Sequence, residues 1–228
     1  MIRTSLTAAE LADYTRKLLA SYLPDGFQPG AELARGVEAA LGRVAHCFQA
    51  IQLKYYQEGG RPVFDHLHGD HFATFLYFVA NSVWRDGHEG LAVRLSYLNK
   101  IMHGLDLYFA VEMPQIFILV HPVGTVIGRA KYSDYLVVYQ NCTVGADGVQ
   151  YPTIGPEVIL YAGSSVIGDC HIGRNVVVGA NAMVVNSSVP ADSVVVGQYP
   201  DHRCLPNRRS VKARCFGERD TPAVTGPK

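Results

Sequence analysis

Apolar side chains keep two different periods along this chain. Up to about residue 105 they recur every three or four positions, the spacing that lines one face of a helix. Thr7 and Glu10 form a capping box ahead of the first such stretch, which runs to about Leu23 with Leu11, Leu18, Leu19 and Tyr22 on its apolar side. Similar patterns predict helices over about residues 31–52, 71–84 and 89–102, interrupted by Pro29, Gly59-Gly60-Arg61-Pro62 and Asp86-Gly87. Residues 1–105 are expected to form a mostly helical domain.

Beyond them the period becomes six. Aliphatic anchors step from Val120 through Val126, Val138 and Val144, then from Ile154 through Leu160, Val166, Ile172, Val178 and Val184 to Val196, with Tyr132 and Pro190 filling the remaining steps. Four residues after most anchors stands a small residue, among them Gly124, Ala130, Cys142, Ser164, Cys170, Ala182 and Ser188. A helix repeats at about 3.6 and a strand at about 2, so neither holds this phase; a three-sided coil with six-residue sides does. A Val-rich β-sandwich would instead turn at irregular intervals of about 8–12 residues. The expected fold class is therefore α+β: the helical domain, a left-handed parallel β-helix of hexapeptide repeats over residues 106–200, and an extended tail over residues 201–228. The hexads add up to about five coils. Val144 and Ile154 are ten residues apart where six are due, so residues 145–152 should leave the wall as a loop.

Composition restricts the function classes. The 228 residues are 48% hydrophobic and 18% charged, and twenty basic residues balance twenty acidic ones. That balance favours small molecules over nucleic acid or a membrane surface as partners. No apolar run approaches the roughly 18 residues of a membrane span and the N-terminus lacks a leader pattern, so a cytoplasmic protein is expected. Five widely spaced cysteines without a CxxC pair suit reduced thiols.

The segment from Asp106 through His121 to Gly128 resembles the serine O-acetyltransferase family. There a histidine opens a motif ending in Val-Gly, followed by a coil, a Gln-x-x-Thr-x-Gly segment and a loop. His121, Ile127-Gly128, Gln140-Asn-Cys-Thr143-Val-Gly145 and the loop occur here in that order. The helical patterns holding Trp84-Arg-Asp-Gly87 and Leu91-Ala-Val-Arg-Leu95 extend the similarity to about residues 70–205.

The resemblance implies an acyltransferase that moves an acetyl group from acetyl-CoA, its co-substrate, to a hydroxyl or amine without a metal, assembled as a homotrimer or a dimer of trimers. His121 would take the acceptor's proton and return it to the departing thiolate, chemistry that suits a side chain titrating near neutrality. Asp106, 15 residues earlier and so about one coil away, would accept the other ring N–H. Gln150 and Tyr151 in the loop, with Asp65 and His66 ahead of the third helix, would hold the acceptor. Gly145, Ala162 and Ala180 would line the CoA groove, and Arg174, Arg203 and Arg208, with Arg209 and Lys212 nearby, would meet its phosphates. Two family positions differ: the aspartate before the histidine is Val120, and the loop's second histidine is Tyr151. A sugar or nucleotide sugar then suits the acceptor pocket at least as well as a serine-like amino acid.

His66-Leu-His68-Gly-Asp70-His71 also matches the HxHxDH string of metallo-β-lactamase-fold hydrolases, and such a cluster could bind zinc. Here it precedes a helix instead of ending an apolar strand, so a helix-capping, surface role is expected, with an acceptor-pocket role for His66 or Asp70 as the next alternative and a functional metal behind both. A metal-dependent hydrolase and a catalytically silent β-helix subunit are the competing readings; metal analysis separates the first and acetyl-CoA binding the second.

Overall fold

A computed structural model describes residues 2–217. Four helices open the chain: α1 (Ala8–Tyr22), α2 (Ala31–Gln49), α3 (Gly69–Arg85) and α4 (Glu89–His103). The capping box forms as expected, with the Thr7 hydroxyl accepting the Glu10 N–H at 3.3 Å and the Glu10 carboxylate accepting the Thr7 N–H at 2.8 Å. Leu11 and Leu19 are buried with Ala12 and Thr15, whereas Tyr22 is exposed at the last turn beside Val93 and Tyr97. Every residue of α3 from Asp70 to Val83 is buried. A helix enclosed on all sides is the centre of its domain, and α2 and α4 flank it. The domain also holds a small sheet, missed by periodicity because strands of two and four residues are too short to show one. Arg3–Thr4 runs parallel to Arg61–Phe64, which pairs antiparallel with Gln57–Glu58.

The second half is the left-handed β-helix, a three-sided prism of parallel strands. Face one stacks Asp106–Leu107, Val126–Ile127, Thr143–Gly145, Ser165–Ile167 and Met183–Val185. Face two stacks Phe117–Leu119, Leu136–Val138, Ile159–Leu160, Val177–Val178 and Ser193–Val196, and face three Lys131–Tyr132, Thr153–Ile154, His171–Ile172 and Ser188–Val189. The registers give the coil lengths. Ile159 pairs with Val177 and Ser165 with Met183, 18 residues on. Thr143 pairs with Ser165, 22 residues on, and the four extra residues are the extruded loop.

The hexad phase slips in three further places, the first being a 19-residue coil in which Leu119, and not Val120, pairs with Val138 and is fully buried. Ile127 is buried in place of Val126 because Ile127 pairs with Val144 across a 17-residue coil, and Val189 and Val195 are buried in place of Pro190 and Val196 after another 17-residue coil. From Val138 to Val184 the anchors point inward as expected. Coils touch closely at their corners. A Cβ on Gly155 would lie 2.7 Å from the Ile172 carbonyl oxygen, so only glycine fits there.

Within residues 201–217 the expected extended tail holds one strand and one short helix. Arg203–Pro206 pairs antiparallel with Ser193–Val196, and a short helix α5 (Val211–Cys215) follows. This segment returns across face two: the Val211 N–H donates to Asn175 Oδ1 at 2.9 Å, Phe216 packs edge-on to Tyr135, and the Cys215 carbonyl accepts the Gln52 N–H at 2.8 Å. Apolar burial under the returning chain explains why Val137, Ile159 and Val177, alternating with the inward row, are also buried. Residues 218–228 of the expected tail lie outside the described residues. Among the described residues no helix is long and apolar enough to cross a membrane, and all five cysteines are free.

Candidate active site

His121 occupies the edge where the first coil turns from face two to face one, between Phe117–Leu119 and Val126–Ile127. Its backbone is left-handed, with φ at 47°, as at seven other non-glycine positions in the turns of the β-helix, so the conformation belongs to the corner. This twist directs the imidazole outward, and the side chain is 76% exposed. The backbone at this turn is held from the helical domain: the His121 N–H donates to Asp70 Oδ1 at 3.0 Å.

The same Asp70 oxygen is 3.8 Å from His121 Nδ1, while the Asp70 side chain is only 12% exposed. Burial pushes the Asp70 carboxyl above the usual carboxylate range, against the opposing pull of His121 and His68. The carboxylate beside the imidazole is therefore Asp70 and not Asp106. Asp106 pairs through its strand with Val126, five residues past His121, and its carboxylate is taken by Lys100 Nζ from α4 at 2.6 Å. One coil of sequence separation brings Asp106 to the neighbouring rung, but the ladder register assigns it to the flat of face one instead of the edge.

The HxHxDH string is only partly at the surface: Leu67 and Gly69 are exposed, whereas Asp70 and His71 are buried. His71 is buried, with Nδ1 accepting the Asp65 N–H at 3.2 Å, and its ring stacks on His68 at 4.1 Å between centroids. Burial lowers the His71 pKa to about 3, so the ring is neutral. His68 is the N-cap of α3, but its side chain makes no capping bond. His66 Nδ1 lies 2.7 Å from the Ser5 hydroxyl and its ring packs edge-on to Tyr14, while Asp65 accepts the Leu67 N–H at 2.9 Å. His66 and Asp65 are thus committed to local packing. Among the described residues no group of three or more His, Cys, Asp or Glu side chains is placed to share a metal ion.

Gln140, Ala162 and Ala180 occupy the same prism edge as His121 on successive coils. The Gly163 N–H donates to the Gln140 carbonyl and the Asn181 N–H to the Ala162 carbonyl, which stacks the corners in line. This edge is a shallow wall of small residues leading away from the imidazole. The loop takes a different exit, between faces one and three after Gly145. It is braced by an Asp147–Gln150 bridge and by Asn186 Nδ2 donating to Asp147 Oδ2 at 2.7 Å, and it presents Gln150 and Tyr151 to solvent. Within one chain those residues are not joined to His121. Arg203 and Arg208 are exposed. Arg174 is engaged between Glu157 at 3.6 Å and Asp192 at 3.5 Å, contrary to a free phosphate-binding role.

The hexapeptide motif of bacterial transferases (six repeats) matches residues 151–186. The serine acetyltransferase of Staphylococcus xylosus is 30% identical over 155 residues, covering 66% of this chain and 70% of that protein. The chain belongs to the serine acetyltransferase family. It is accordingly an acyltransferase built on hexapeptide coils. A serine acetyltransferase from Vibrio cholerae superposes with a TM-score of 0.67 at 20% identity over 90% of this chain and 92% of that one. A solved serine acetyltransferase in complex with CoA gives 0.62 at 18% identity over 87% and 95%; both show the shared fold. Asp70, which α3 delivers to His121, was legible only as a possible acceptor-pocket residue and not as the partner of the histidine. Its only sequence signal was a motif pointing to a different chemistry.

Proposed function

We propose that this chain transfers an acetyl group from acetyl-CoA to a hydroxyl or amine of a small acceptor, with His121 as the general base. The observation that carries this reading is an outward imidazole at the face-two to face-one edge with a buried carboxylate 3.8 Å from Nδ1. With Nδ1–H turned toward Asp70, Nε2 is free to accept the acceptor's proton as its oxygen or nitrogen attacks the thioester carbonyl. Collapse of the tetrahedral intermediate breaks the C–S bond, and the imidazolium returns that proton to the CoA thiolate. Asp70 orients the ring and stabilises the imidazolium, the part played by the acid of hydrolase triads.

The small-residue edge at Ala162 and Ala180 supports a groove for the pantetheine arm, and exposed Arg203 and Arg208 supply charge for the phosphates. A neighbouring copy contributes the loop. Val123 and Val126 lie exposed beside His121, and Val149 is 88% exposed and Tyr151 44% exposed on the loop. Apolar patches at two different places on one chain fit the head-to-tail contacts of a closed ring. Gln150 and Tyr151 would then reach the His121 of the next chain and hold the acceptor. Serine is the first acceptor to test, because the matched relatives are serine acetyltransferases. Val120 and Tyr151 in place of charged groups also admit a sugar hydroxyl or amine. Five free thiols suit a reducing, cytoplasmic setting.

A thiol-release assay with acetyl-CoA across amino acids, amino sugars and nucleotide sugars identifies the acceptor. With it, His121→Ala should lower kcat by about 10²- to 10⁴-fold, the typical contribution of general acid–base catalysis, with CoA affinity kept. Wild-type turnover in His121→Ala would refute the assignment.

A further inference from the structure

A cavity of about 780 Å³ lies at the seam between the helical domain and the first coils. It shares no residue with the site around His121, and Arg43, His46, Phe78, Arg85, Gln115 and Ser133 face it. Volumes of this size accommodate small-molecule ligands.

Its two arginines are held differently. Arg85 is paired with Glu112. Arg43 lies with its guanidinium carbon 4.2 Å above the Phe78 ring, and its two hydrogen bonds, to Asn81 Oδ1 at 2.8 Å and Ser82 Oγ at 3.3 Å, both leave from Nη1. Those acceptors are neutral. Asn81 is fully buried and fixed by its own bond from Nδ2 to the Phe109 carbonyl at 2.7 Å, so it is a built support for one corner of the guanidinium. Among the described residues no carboxylate reaches Arg43 within 4.0 Å. Glu112 acts on Arg43 only from beyond contact distance and is itself paired with Arg85, so a half-buried guanidinium without a carboxylate in direct contact can still gain from an anion at its open edge. Loss of hydration pulls its pKa down, in keeping with that deficit.

We propose that this cavity binds a small organic carboxylate, whose carboxyl group takes the open edge of Arg43 and whose hydrocarbon body extends along the exposed lining at Ala39 and Gly42. A planar carboxylate matches the fork of a guanidinium in two parallel bonds. Glu112 and Asp134, also in the lining, disfavour phosphates and other polyanions. Occupancy would join α2 and α3 to residues 112–116, which lead into the strand Phe117–Leu119 that ends two residues before His121.

The test uses the full-length protein with butyrate and benzoate as probes, and butanol, butylamine and inorganic phosphate as controls, by calorimetry and thermal melting. Carboxylates should bind with a Kd of about 1 mM or tighter and raise Tm with concentration. Arg43→Lys should weaken binding by about tenfold or more, through loss of the fork, and Arg43→Gln should abolish it. Without ligand, Arg43→Gln should keep or raise Tm, because it removes an uncompensated charge. His121→Ala should bind the probes as wild type does, which separates this site from the catalytic one. No carboxylate response in wild type, an equal response in Arg43→Gln, phosphate binding as tightly as butyrate, or loss of binding in His121→Ala would each overturn the proposal. If Arg43→Gln does not fold, Arg43→Lys alone decides: carboxylate binding as tight as wild type in that variant would overturn the proposal.

Discussion

Asp70 makes two contacts with His121 that substitution can separate. Its oxygen holds the His121 N–H at 3.0 Å and faces the ring at 3.8 Å. Asp70→Asn keeps an acceptor for the N–H but removes the charge. The expected result is a fall in kcat of about 10- to 100-fold, equivalent to one or two pKa units of imidazolium stabilisation, with acetyl-CoA affinity unchanged. Asp70→Glu should recover part of the loss, and Asp106→Asn, whose carboxylate is held by Lys100, should cost less than Asp70→Asn. Steady-state kinetics on the three variants decides between the two carboxylates, and a larger loss in Asp106→Asn would reverse the assignment. Two other histidines couple the fold to pH. Burial lowers His71 to about 3 and His103 to about 4, against an ordinary 6.5. Both are neutral in the native protein and gain protons on unfolding below about 6.5. Their stabilising effect is complete above that pH and is lost as pH falls toward 4, by up to about 1.4 kcal/mol per unit for each ring. Urea melts between pH 7.5 and 4.5 should show this slope, and His103→Gln should flatten it.

Among the elements, glycines separate backbone contact from chain entropy. A Cβ at Gly155 would meet the Ile172 carbonyl oxygen at 2.7 Å and the Gly173 backbone at 3.0 Å, both on the next coil. Gly155→Ala should destabilise by about 1–3 kcal/mol, as overpacking does. Gly42 lies within α2 with nothing within 4 Å of its Cβ position. Gly42→Ala should therefore stabilise, by up to about 1 kcal/mol. Thermal melts of the pair give opposite signs if the coil contacts are as described. The elements also show what a pattern can convey. The Thr7–Glu10 box was readable because its partners are three residues apart, and the inward row from Val138 to Val184 because each coil there repeats a hexad phase. The 17-residue coils were not readable, since a one-residue shortening between Ile127 and Val144 leaves a valine next to the correct position.

For the whole molecule, the loop and His121 exit at different prism edges, so the proposed site needs a second chain. The protein should sediment as a trimer or a dimer of trimers. Co-expression of His121→Ala with a Tyr151→Ala chain should restore activity that neither variant has alone, because some interfaces then combine an intact histidine with an intact loop. Mixed trimers without such restoration would place both residues in one chain's site. The returning tail is a second feature at this scale: Val211, Cys215 and Phe216 are all buried where they meet the β-helix and the helical domain. Sequence suggested an extended segment there because a five-residue helix carries too little periodicity to register.

By itself the sequence determined the quantities that repeat locally: the capped helices, the hexad wall, the excess residues of the loop, and His121 through the family motif around it. Tertiary structure alone decided which distant groups meet. Asp70 lies 51 residues before His121 on a different domain, and no periodicity relates a helix start to a coil corner. Asp106 shows the converse. Its one-coil separation was visible, but the ladder register paired it with Val126 and left it to Lys100. Spacing fixes which rung a residue occupies, whereas side-chain chemistry at an edge depends on what the neighbouring domain packs against it.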